Sequence, residues 1–101
     1  MNDETLLALA LDWIEAEIGE GDALGHLFAN TRRRGFDAAA GGIVAPFTDG
    51  PGRIVIQLGD AVPRFGSRPL IVTIEDEGFD GEIVRAIPAY VFEGCWGGSA
   101  A

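Results

Sequence analysis

The side chains best suited to chemistry are scarce in this chain. Its 101 residues include one histidine, His26, one cysteine, Cys95, and no lysine. Zinc sites draw nitrogen and sulfur ligands from closely spaced His and Cys residues, and His26 has no second His or Cys near it in sequence. Cys95 could act as a nucleophile only with a base beside it, and its neighbours are Gly94 and Trp96. A small packing role suits Cys95, and a surface or boundary role suits His26. Without lysine there is no Schiff-base amine and no phosphate-loop lysine. Gly50 and Gly52 precede a strand pattern instead of opening a helix, the wrong context for a phosphate cradle. These residues point to a protein that is not an enzyme and uses no metal and no cofactor. A single cysteine also precludes an intrachain disulfide and agrees with a reducing, cytoplasmic setting.

Carboxylates are the abundant functional group. The run Glu75-Asp76-Glu77-Gly78-Phe79-Asp80-Gly81-Glu82 holds five acids in eight residues. It lacks the ligand spacing of an EF-hand loop and reads as a hairpin tip with Asp80-Gly81 as the turn. Phe79 within it has two readings: an aromatic anchor for a partner pocket, or a side chain folded back on its own core. A second group, Asp3, Glu4, Asp12, Glu15, Glu17, Glu20 and Asp22, precedes the first arginine. No Lys or Arg lies at i, i+4 to any of these acids to form stabilising helix pairs. Arg32, Arg33 and Arg34 suit the last turn of a helix, opposite the negative end of its dipole.

The elements that must position these groups follow from periodicity. Leu7, Leu11, Ile14 and Ile18, widened by Leu6, Ala10 and Trp13, predict an amphipathic helix over 3–18. Asp3 is its cap candidate, and Gly19 its left-handed terminator. A second helix is predicted from Asp22, as cap, to Arg34, with Leu24, Leu27, Phe28 and Thr31 on one face; Gly35 and Phe36 would close it. Residues 37–52 are rich in Gly and Pro. There Ile43-Val44-Ala45 forms a short strand or a buried loop, and 48–52 form a turn. Alternation predicts strands at 53–58, 70–75 and 82–87, the last continuing through Tyr90-Val91-Phe92 past Pro88. Helices precede strands, which argues against alternating βαβ units. The expected fold is α+β, two N-terminal helices packed on one face of a three- to four-stranded, mainly antiparallel C-terminal sheet. Residues 1–96 would form one acidic domain, and 97–101 a flexible C-terminal tail.

Sixteen acids stand against seven arginines, for a net charge of −9. Such a surface repels phosphate backbones and anionic headgroups, which disfavours direct nucleic-acid or membrane binding and favours a basic protein partner. The leading expectation is a non-enzymatic inhibitor that masks a positively charged, nucleic-acid-handling protein such as a nuclease or a CRISPR or restriction component. On size and charge alone, this is the logic of nucleic-acid mimics, toxin immunity proteins and phage anti-defence proteins such as CRISPR inhibitors. The residues expected to meet the partner are Asp12, Glu15, Glu17, Glu20, Glu75, Asp76, Glu77, Phe79, Asp80 and Glu82. A second reading is a structural subunit of a virion or larger complex, a dimer included, in which Trp13, Phe79 and Trp96 matter more than the acids. A third is a small-molecule binder with a pocket near His26, Arg85 and Tyr90. In that region a strand Arg85 paired with an acid such as Glu75 is the plainer alternative.

Overall fold

The computed structural model of the chain describes residues 3–19, 21–32, 35–61, 67–76 and 79–92. Helix α1 spans Asp3–Glu17, within one residue of the expected end. Leu6, Leu7, Ala10, Leu11 and Ile14 are all buried along it, so the i, i+4, i+7 stripe is its core face. Each large aliphatic side chain buried in this way is worth about 1.5–3 kcal/mol. The left-handed residue after α1 is Gly21, at φ 90°, and not Gly19; Ile18 N–H donates the last helical bond to the Ile14 carbonyl, and the chain then turns, with Asp22 N–H donating to the Gly19 carbonyl.

Helix α2 is shorter than the sequence predicts, Ala23–Ala29 instead of 22–34. Asp22 caps it as expected, accepting from the Leu24 N–H at 2.9 Å. Its other end closes at Asn30, whose side-chain amide donates to the His26 carbonyl. Sheet pairing then outcompetes the helix. Arg32 N–H donates to the Pro46 carbonyl, Thr48 N–H donates to the Asn30 carbonyl, and Thr31 bridges Phe47. Arg32 is therefore not a last-turn cation. Arg33 and Arg34 lie outside the described residues.

Five strands follow: β1 Gly35–Asp37, β2 Gly42–Pro46, β3 Arg53–Leu58, β4 Arg68–Asp76 and β5 Phe79–Ile87. They form one antiparallel meander in chain order. The sheet thus has five strands and not three or four. Gly35 and Phe36 belong to β1 instead of closing a helix, and Ile43-Val44-Ala45 is a strand. The Gly-rich composition hid this hairpin, yet Gly42 is what lets β2 pair closely with β3. A Cβ at Gly42 would run into the Ile56 carbonyl on β3.

The β4–β5 pairing runs from Arg68 opposite Ile87 to Asp76 opposite Phe79. Asp80 and Gly81 are therefore strand residues opposite Glu75 and Ile74, and not the turn. Only residues 77 and 78, outside the described residues, separate the strands. Past Pro88 the strand gives way to one helical turn at 89–92, with Val91 N–H donating to the Pro88 carbonyl. Proline lacks the N–H that a ladder needs but suits a helix start.

Residues opposite one another in a ladder share a face. Ile43, Ala45, Ile54, Ile56, Leu70, Val72, Ile74 and Ile87 belong to the inner face and form one core with α1, Leu24 of α2 and Phe92. Both helices thus pack on the same side of the sheet.

Candidate functional site

The expected partner-binding acids divide between two layers. Asp12, Glu15 and Glu17 are exposed on α1, over the inner face. Glu75, Asp80 and Glu82 are exposed strand residues whose register assigns them to the opposite, outer face. Asp76 ends β4, beside the turn between β2 and β3, where its carboxylate packs over Gly52. Glu20, Glu77 and the Phe79 side chain lie outside the described residues, as do Cys95, Trp96 and the 97–101 tail. Among the described residues, the structure therefore does not gather the acids into one surface. It concentrates Glu75, Asp76, Asp80 and Glu82 at one end of the β4–β5 hairpin, with Asp49 in the adjoining turn.

The rung at this end reads Pro46, Arg53, Glu75, Asp80 across β2 to β5. Arg53 Nε donates to Glu75 Oε1 at 2.8 Å, and both side chains remain nearly half exposed. Glu75, which holds the Arg53 guanidinium, directly faces a second carboxylate, Asp80. Like charges in that position destabilise a strand pair by a few tenths of a kcal/mol up to about 1 kcal/mol.

A second ion pair has a different role. Arg85, on the inner side of β5, donates to Asp22 Oδ1 at 2.8 Å, so Glu75 is not its partner. Asp22 therefore caps α2 and anchors it to the sheet at once. Its carboxyl is held below the ordinary carboxylate range, first by the Leu24 N–H, against an upward pull from burial, and then by Arg85.

Two open clefts flank α2, and His26, exposed on that helix, lines both. One, of about 430 Å³, opens toward Glu15 and Ile18 of α1. The other, of about 520 Å³, lies between α2 and the hairpin, lined by Leu27, Phe47, Ile74, Gly81 and Ile83. Neither lining includes Arg85 or Tyr90. Tyr90 instead accepts from Trp13 Nε1 at 3.0 Å, the two rings meeting edge to face. Among the described residues, no three His, Cys, Asp or Glu side chains are grouped to hold a metal ion. None of the helices there is long and apolar enough to cross a membrane.

Sequence reasoning missed the outer face of the sheet. Val44 and Val55 lie opposite each other on one rung, and Ile71 and Val84 on the next. Val55 is 5% exposed yet stands outside the helix-side core, while Val84 is 52% exposed. The signal was present in the unbroken apolar runs Ile54-Val55-Ile56 and Leu70-Ile71-Val72. Strands with apolar residues on both faces are those covered on both faces. Comparison of the chain with protein-family models, curated proteins and solved structures gives no match.

Proposed function

We propose that this chain is a non-enzymatic binding protein whose acidic hairpin end masks the cationic surface of a nucleic-acid-handling partner. One observation supports this reading most: Glu75 directly opposite Asp80, with a single arginine between them and the neighbouring β2 strand. Asp76 and Glu82 extend the same negative end. A repulsive rung weakens the hairpin, and a cationic surface docking there would relieve the repulsion. The acids of α1 lie on the other layer and add to the long-range field. That field raises the encounter rate with a cationic surface by about 10–10³-fold and is screened over about 8 Å at physiological salt.

The test is competition. The immobilised chain captures its partner from a cell extract at low salt, and duplex DNA is then added to the column. Release by DNA of a protein that itself binds DNA supports the masking function. Retention of the partner at any DNA concentration, or equal capture by a chain carrying D76N, D80N and E82Q, contradicts it.

A further inference from the structure

Strand β5 ends the sheet. β4 pairs along one of its sides, and among the described residues no strand and no backbone hydrogen bond reaches the other. In an antiparallel pair, alternate residues turn their N–H and C=O groups away from the neighbour. A row of backbone donors and acceptors therefore lines this edge. The opposite edge, β1, has three residues, whereas β5 has nine. Sheet edges are usually blunted by shortness, bulges, proline or lysine. β5 has none of these: its register against β4 is unbroken from 79 to 87, with no Pro or Lys in it. Its inward charge, Arg85, is held by Asp22 at the start of α2. A cleft adjoins the same edge. On the inner face Gly81 stands opposite Ile74 and adds no side chain there. Ala23, His26, Leu27 and Asn30, at i, i+3, i+4 and i+7 on one face of α2, line the space beside it. The result is a mostly apolar cleft of about 520 Å³ between α2 and the edge strand.

We infer that β5 accepts an extended segment of a protein partner as a sixth strand, with one apolar side chain of that segment seated in the cleft. Backbone bonds along an edge give such complexes affinity, and a pocket beside the edge gives them specificity. The inference stands on the edge and the cleft, and it goes beyond the masking function. Strand alternation defines the segment. Its inward residue, beside Gly81, is large and apolar. Its outward residues lie beside Asp80 and Glu82, the exposed acids on the outer side of β5, where Lys or Arg fits. The same acids oppose a second copy of this chain. Pairing β5 with β5 about Gly81 sets Asp80 of each copy opposite Glu82 of the other, and like charges opposite one another destabilise a strand pair. A nucleic acid or a lipid has no peptide backbone to pair with the edge.

The probe is a short blocked peptide alternating leucine and lysine. One control has the same composition with its leucines contiguous. A second has N-methylated amides and cannot donate to a strand. With the alternating peptide bound, the outward amides of β5 exchange more slowly, and the methyl resonances of Leu27 and Ile83 shift. The double variant Asp80→Lys, Glu82→Lys weakens binding about tenfold. That variant binds a peptide with glutamate in place of lysine more tightly than wild type does. Equal affinity for either control, or no binding of the alternating peptide, overturns the inference. So do shifts confined to α1. Self-association without peptide that slows the same β5 amides overturns it in favour of a second copy. None of these results touches the masking function, which DNA competition decides. Failure of that competition with peptide binding intact removes the masking function alone.

Discussion

At the scale of single residues, Asp22 carries the most structural consequence. It caps α2 through the Leu24 N–H and ties that helix to β5 through Arg85. Its carboxyl pKa is lowered in the folded chain, so its ionised form contributes stability above the unfolded value of about 3.9. That contribution is lost as pH falls through the lower folded value. Asn caps a helix about as well as Asp, so Asp22→Asn isolates the charge. Denaturant unfolding will show wild type more stable than this variant at neutral pH, with the gap closing in acid. Asp22→Ala loses the cap as well, and remains the less stable of the two variants at every pH. The cap was legible from residue type alone. The Arg85 pairing was not, because it joins positions 63 residues apart.

At the scale of elements, the regular segments were readable wherever one periodicity ran unopposed. Helix α1 and strand β3 lie within a residue of expectation, and β4 and β5 extend the predicted cores of their strands. The failures have local causes. The Gly-rich β1–β2 segment reads as loop because it carries residues usually taken as breakers, one of which, Gly42, is required where β2 closely approaches β3. Gly42→Ala drives a methyl group into the Ile56 carbonyl, and thermal unfolding will register a large loss of stability unless β2 separates from β3. Helix α2 loses its last turn because Thr31 pairs with Phe47 and Arg32 N–H bonds to the Pro46 carbonyl of β2. Its seven residues are too few to be stable alone, so packing must hold it. Leu24 is fully buried, and Leu24→Ala will cost about 2–5 kcal/mol in chemical denaturation. Amide exchange will be faster in α2 than in β3 or β4, whose bonds open only with the sheet.

At the scale of the whole molecule, a thin protein with helices on one side of its sheet carries its charge on both layers. The acidic hairpin could be located from sequence, since the carboxylates of 75–82 are contiguous. Their assignment to the outer face required the register. The apolar row beside them went unread because periodicity was followed on one face of each strand only. Screening separates charge-led docking from docking by apolar contact alone. The most direct measurement is the affinity of the chain for its DNA-competable partner across a salt series, for wild type and for the D76N, D80N and E82Q variant. The masking function predicts that wild-type affinity falls steeply as salt rises, and that the variant binds weakly with a shallow slope. Affinity that is indifferent to salt and the same in both proteins would contradict it.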